Sequence, residues 1–139
     1  MVLFQVCLRF TKSLIENGEV YLFGKGKFGA LGNSSQKNIS YTTPGIVEYF
    51  TKHKIKIKDL AIGENHSIFV STEGTVYTCG YGGKPTGLIK RLFTQEVGAL
   101  GHNNISHQHL PTPIESLVEK EIKIKEAAAG RYHSVVLAG

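Results

Sequence analysis

Apolar and polar residues alternate in short runs along this chain, and no stretch holds a 3.6-residue apolar period long enough for an extended amphipathic helix. Lys52, Lys54, Lys56 and Lys58 alternate with His53, Ile55 and Ile57, the period-2 signature of a strand with one wet face. Lysine there also repels other chains from an exposed edge. The same reading predicts antiparallel strands at about residues 20–23, 55–62, 67–71, 75–79, 122–127 and 134–137, with almost no helix outside residues 81–97. Sixteen glycines against four prolines supply the tight turns between them. The expected fold class is all-β.

The pattern repeats. Residues 18–24 (GEVYLFG) return as 74–80 (GTVYTCG), 56 positions on. Residues 29–33 (GALGN) return as 98–102 (GALGH), and 55–67 (IKIKDLAIGENHS) return as 122–134 (IKIKEAAAGRYHS). Three anchors in one order mean stacked units. Each unit reads as strand, glycine turn, strand, glycine-rich loop, polar proline-bearing loop, then an alternating strand that runs into Gly-x-x-His-Ser. About 55 to 70 residues with roughly four short strands is the size of one β-propeller blade. Residues 1–17 form a degenerate part-unit, 18–73 a first repeat, and 74–139 a second repeat with an insertion at about 81–97 and the start of the next unit. Gly24, Gly32, Gly63, Gly80, Gly101 and Gly130 recur at matching places, where a positive φ or a close backbone approach excludes a Cβ.

A closed propeller needs ~four to eight blades. The array expected here is therefore partial, about two blades with flanking part-units and not a closed ring, completed by further repeats or by another chain. Alone it should self-associate or be weakly stable, with Val135 and Leu137 at the open edge.

G-x-V-Y-x-x-G, then G-A-L-G, then I-x-x-x-x-x-G-x-x-H-S resembles the regulator of chromosome condensation repeat, over residue 18 to the C-terminus. That family includes the nucleotide-exchange factor for the small GTPase Ran. The resemblance implies a seven-bladed propeller, with His66 and His133 matching the Gly-x-x-His signature. The first half-unit departs from it: Cys7 stands where the signature wants Gly63, and Phe10 where it wants His66. Other propeller types fit less well, since WD and kelch blades use a tryptophan and this chain has none.

Composition changes the picture little. The 139 residues suit one globular domain, and the apolar runs fall far short of the ~20 residues a spanning helix needs. No secretory leader is expected, so the chain is read as intracellular, in cytoplasm or nucleus. Cys7 and Cys79 lie too far apart for a CxxC pair, and reduced thiols are expected. A net charge of +5 permits attraction to phosphate or acidic surfaces without demanding either.

The candidate chemistry is thin. Residues 24–29 (GKGKFG) spell a dinucleotide fingerprint, with Glu48 downstream for a ribose contact, but the residues that follow break the helix such a site needs. His102, His107 and His109 lack a matching carboxylate or cysteine and read as solvated loop histidines; no metal or other cofactor is expected. His66 and His133 recur at one point of each unit, which suits fixing a turn by hydrogen bonding better than catalysis, so no active site is expected.

The insertion stands outside the repeat. Lys84, Leu88, Lys90, Arg91 and Phe93 mix apolar groups with cations, the composition of a contact hot spot. It reads equally as a docking loop or as a tolerated surface excursion. The expected function is a non-enzymatic protein-interaction module. One alternative is guanine-nucleotide exchange on a small GTPase or other regulation of one, with residues 84–93 as the wedge. Chromatin or nucleic-acid association is a second alternative, resting on charge alone.

Overall fold

The computed structural model describes residues 3–6, 11–33, 39–83 and 98–139. Among the described residues, ten strands form three antiparallel sheets with no closure into a ring. Strands β1 (Leu3–Val6), β2 (Thr11–Glu16), β3 (Glu19–Gly26) and β4 (Ile39–Ile46) make sheet A in that order. Strands β5 (Ile57–Ile62), β6 (His66–Ser71), β7 (Val76–Gly80) and β8 (Gln108–Pro113) make sheet B in the same way. Sheet C holds two strands, β9 (Ile124–Ala129) and β10 (Ser134–Ala138). The chain is a run of antiparallel propeller-like blades, two complete and one half-built among the described residues.

Sheets A and B each take their first two strands from the end of one sequence unit and their last two from the next. Sheet A is four-stranded although Cys7 and Phe10 break the signature between β1 and β2, because ladder hydrogen bonds come from the backbone. Cys7 and Phe10 themselves lie outside the described residues.

Two expectations need correction. The proline-bearing segment is a strand and not a loop: it forms β4, which carries Pro44, and β8, which carries Pro111 and Pro113. Among the described residues both are outer strands with a partner on one side only, where a missing N–H costs no ladder bond. Helix also occurs outside the insertion, as single-turn α1 (Glu48–Lys52) and α2 (Glu115–Glu119). One turn is too short to show a helical period. The two are copies 67 residues apart, each entered through an extended residue, Val47 (φ −80°, ψ 92°) and Ile114 (φ −79°, ψ 98°). Each ends through a left-handed residue, Lys54 (φ 55°) and Glu121 (φ 53°). The N–H of Ile55 then reaches the Phe50 carbonyl at 2.9 Å, and that of Ile122 the Leu117 carbonyl at 3.0 Å, the six-residue closure of a Schellman motif. So Lys52 ends a helix and Lys54 makes its reversal, and the lysine alternation belongs to a strand only around Ile57.

Packing runs between sheets. Between A and B lie Val20, Leu22, Leu31, Val47, Phe50, Ile57, Leu60, Phe69 and Cys79, all 2% exposed or less. Between B and C lie Ala61, Ile68, Val70, Val76, Ile114 and Ile124. Backbone bonds repeat at the joints: the Ile57 N–H meets the Gly18 carbonyl at 2.9 Å, and the Ile124 N–H the Gly74 carbonyl at 3.0 Å. Each sheet's first strand thus hooks onto the preceding sheet's hairpin turn.

Ile68 and Val70 of β6 are wholly buried beneath sheet C, while their counterparts Val135 and Leu137 of β10 are 57% and 56% exposed. The same positions are core in one blade and bare in the next. Ile68→Ala should therefore cost about 2–5 kcal/mol. Val135→Ala should stay within about 0.5 kcal/mol in the same chain, both read from urea unfolding midpoints at constant slope. Equal costs at the two sites would show that sheet C is covered in solution.

Candidate interaction surface

The antiparallel registers gather one set of connections at one end of the sheets. His66 pairs with Gly80 and Gly80 with Gln108, so the β5–β6 turn lies beside the connection leaving β7 and entering β8. The β3–β4 connection and the β9–β10 turn occupy the same end of their sheets. Helices α1 and α2 and the β2–β3 and β6–β7 turns occupy the other.

At the first end the two repeated motifs are partners. The Ser67 hydroxyl donates to the Ala30 carbonyl at 2.7 Å, and the Ser134 hydroxyl to the Ala99 carbonyl at 2.6 Å. The His-Ser of each sheet therefore grips the Gly-Ala-Leu-Gly loop of the sheet before it. Inside each turn, the Gly63 N–H meets the His66 carbonyl and the Gly130 N–H the His133 carbonyl, both at 2.9 Å. A Cβ on Gly63 or Gly130 would overlap the imidazole ring three residues on. Gly24 (φ 112°), at a register shift within β3, and Gly80 (φ 109°), at the end of β7, hold backbone that other residues rarely adopt, and a Cβ on Gly80 would run into the Asn65 carbonyl. Gly32 and Gly101 sit at matching ends of the two loops, with φ 63° and 76°.

The histidines divide. His66 is 2% exposed, with Nε2 buried and unpartnered. Burial pushes its pKa below the usual 6.5; the His133 backbone offsets this in part. His133 is exposed, with no further sheet over sheet C among the described residues.

Of the three histidines expected to be solvated, His107 is exposed and His102 and His109 are half-buried, and each packs against neighbours. His102 Nε2 lies 2.8 Å from the Thr78 hydroxyl, which also donates to the Leu100 carbonyl. His107 stacks on Tyr81 at 5.0 Å and meets Phe28 at 4.9 Å, and its Nδ1 accepts from the Gly82 N–H. His109 has a buried Nδ1 with no partner. Among the described residues no three His, Cys, Asp or Glu groups come together to hold an ion. The dinucleotide fingerprint ends in one turn of 3-10 helix, and Glu48 lies at the far end of β4. Cys79 is wholly buried, and burial pushes its thiol well up.

Lys84, Leu88, Lys90, Arg91 and Phe93 lie outside the described residues, but the ends of the insertion do not. Its leading end continues from Gly80 and its trailing end enters the loop at Gly98, both at this end of sheet B. At its base sits the Phe28–Tyr81–His107 cluster, which draws on two sheets and was not legible as a unit in the sequence. Nearby, Arg131 pairs through Nε and Nη2 with Glu64, one acid and one base at the same repeat position in successive sheets. Among the described residues no helix is long and apolar enough to cross a membrane.

Comparison with known proteins agrees with this geometry. The Regulator of chromosome condensation (RCC1) repeat matches residues 17–70 and 95–137, and a second description of the repeat matches 57–84. The human Inhibitor of Bruton tyrosine kinase is 31% identical over 119 residues, 86% of this chain and 8% of that protein. The human Probable E3 ubiquitin-protein ligase HERC4 is 30% identical over 118 residues, 85% of this chain and 9% of that protein. Among solved structures, Prp20p from Saccharomyces cerevisiae, described with its binding properties to Gsp1p and histones, superposes with a TM-score of 0.74. That match is 18% identical and covers 99% of this chain and 31% of that one, a likeness of fold. The chain spans a small part of each.

His66 makes stability depend on pH with a definite sign. With its folded pKa below 6.5, stability is full above that value and falls as pH drops through it, because only the unfolded chain takes up the proton freely. Burial also lowers the pKa of His102 and His107, in the same direction. Urea midpoints at pH 7.5 and pH 5 should show the loss, with a shallower slope in His66→Asn. Ser67→Ala, which leaves the buried Ala30 carbonyl only the weak Cys79 thiol donor, should cost about 1–3 kcal/mol at either pH.

Proposed function

Because the chain belongs to the regulator of chromosome condensation repeat family, we propose that it is a non-enzymatic protein-interaction module whose docking surface is the end of the sheets bearing the insertion. The observation that carries this reading is convergence. Both ends of the insertion, the Gly-x-x-His turns and the aromatic cluster at Phe28, Tyr81 and His107 share one end of the fold. Loops held on a rigid scaffold are where recognition residues concentrate. In this reading Lys84, Leu88, Lys90, Arg91 and Phe93 make the contact, while Gly24, Gly32, Gly63, His66, Gly80, Gly101, Gly130 and His133 hold the frame beneath it. The setting is inside the cell, in cytoplasm or nucleus.

A second reading has a specific source. The repeat family includes the nucleotide-exchange factor for the small GTPase Ran, which supports regulation of such a GTPase, and Prp20p, whose fold this chain shares, is described with its binding properties to Gsp1p and histones, which supports association with chromatin. In the first of these, the cations and Phe93 of the insertion would act as a wedge against the GTPase's phosphate and Mg²⁺ site. The net charge of +5 suits chromatin, through phosphate neutralisation. The ubiquitin-ligase activity named for HERC4 belongs to a protein of which this chain covers 9%, and it is not carried over.

The test places a photo-crosslinker at position 93 and, as control, at Val118 on exposed α2 at the opposite end. A partner trapped from position 93 and not from 118 is expected, and its affinity should fall at least tenfold in an Arg91→Glu, Phe93→Ala variant, about the loss of one hot spot. Trapping only from 118 would place the surface at the wrong end. Accelerated nucleotide release from a Ran-like GTPase would replace the first reading with the second. A DNA shift that weakens steeply with salt would favour chromatin.

A further inference from the structure

Sheets A and B join their last two strands differently at the end that carries the insertion. In sheet A the ladder between β3 and β4 runs on past Gly24 and Tyr41, through Lys25 opposite Ser40, to Gly26 opposite Ile39. In sheet B the ladder between β7 and β8 stops at Gly80 opposite Gln108, the counterpart of Gly24 and Tyr41. The positions that would continue it are Tyr81 with His107 and Gly82 with Ser106. A side chain replaces the backbone pairing there. The Gly82 N–H donates to Nδ1 of His107 at 3.2 Å. The imidazole stacks on Tyr81, 29° from parallel, and meets the Phe28 ring at 4.9 Å. Gly82 itself is buried, so close to the facing backbone that a Cβ would overlap the Ser106 and Ile105 carbonyls. In sheet A the counterpart of His107 is Ser40, which has no group that titrates near neutral pH.

We propose that His107 is a pH-operated clasp on residues 81–83, the segment that leads into the insertion: the neutral ring holds the Gly82 N–H, and the protonated ring releases it. An Nδ1 that accepts a hydrogen bond leaves the ring's single proton on Nε2. Imidazolium carries an N–H on both nitrogens, so no rotation of the ring returns an acceptor to Gly82. A buried N–H left unmet is costly, and the segment shifts to find water. The surroundings favour the neutral ring. Burial holds its pKa below 6.5, and His109 on β8 adds to the effect. Among the described residues, the other titratable or charged groups on the elements packed against the ring are Tyr81 itself and Lys25 and Lys27 beside Phe28. Glu64, next to the Asn65 carbonyl that accepts from the Tyr81 N–H, is paired with Arg131. The clasp is therefore shut at pH 7.5 and opens in mild acid, below 6.5. Tyr81 keeps its own bond to the Asn65 carbonyl, at 2.8 Å, which does not titrate. Opening begins at Gly82. Weaker docking of a partner in acid would follow, and that consequence alone rests on the interaction surface proposed above.

The test takes the isotope-labelled 139-residue chain from pH 8 to pH 5. It reads the His107 ring together with the amide protection of Gly82, Tyr81 and Ile68, corrected for intrinsic exchange. Protection of Gly82 should fall at least tenfold, with the midpoint at which the His107 ring titrates, while Tyr81 and Ile68 keep theirs. In His107→Gln the fall should vanish, and in His107→Ala the Gly82 amide should be unprotected throughout. A ring that stays neutral down to pH 5, or a Gly82 amide that ignores the ring's titration, would overturn the proposal. So would the same fall in His107→Gln, or protection lost equally at Gly82 and Ile68. Trapping from position 93 at pH 7.5 and pH 5.5 separates the two readings: Gly82 titrating with His107 while nothing is trapped at either pH supports the clasp and counts against the docking surface.

Discussion

The hydroxyl-to-carbonyl bond from each Gly-x-x-His-Ser turn to the Gly-Ala-Leu-Gly loop before it is the constraint on which the stacking rests. A four-stranded sheet with two apolar faces can lie against its neighbour at several offsets with similar burial, since the hydrophobic effect is not directional. A hydrogen bond is directional, and one made by Ser67 at no measurable exposure is expensive to leave unmade. Its repetition by Ser134 on Ala99 gives the second joint the same offset as the first. The hooks from Ile57 to Gly18 and Ile124 to Gly74 set the opposite end. Two fixed points, one at each end, leave little freedom in how one sheet sits on the next.

Within that frame the two joints differ in filling. The first is closed by aromatic rings, with Phe50 against Phe69 at 5.0 Å and Tyr77 against Phe50 at 5.6 Å. At the second, Leu117 and Val136 stand for the two phenylalanines, and among the described residues no third strand brings a counterpart of Tyr77. The repeat therefore preserves the polar latch and varies the apolar fill, which is how one backbone plan can present grooves of different size along one array. Repeat arrays draw stability from nearest-neighbour joints, so such differences are tolerated locally.

Division of labour between the two ends follows from connection length. The turns at the helix end are tight, and α1 and α2 there bury Phe50 and pack Leu117 into the joints. At the other end the β3–β4 and β7–β8 connections are long, and the second carries the insertion without disturbing the β6–β7 register or the Ser134 latch. Length added beyond a latched frame costs little, because loop-closure entropy grows slowly with loop size.

The strands around Val20, Ile57, Ser67, Val76, Ile124 and Ser134 were legible in the sequence, because alternation between glycine turns is a local property that repetition made unmistakable. So was the failure to close a ring, which needs only the unit length and the chain length. Strands β4 and β8 were not, since Pro44, Pro111 and Pro113 read as loop until an outer-edge position makes them harmless. Helices α1 and α2 were too short to show a period. The burial of His66 against the exposure of His133, identical in local sequence role, was decided by whether a further sheet lies on top. The same holds for Ile68 and Val70 against Val135 and Leu137. Likewise, that His-Ser and Gly-Ala-Leu-Gly are partners, and that Phe28, Tyr81 and His107 form one cluster, depends on contacts between sheets. Sequence periodicity reports which residues share a face of one strand; which faces meet, and which stay bare, is settled only when one sheet is laid on another.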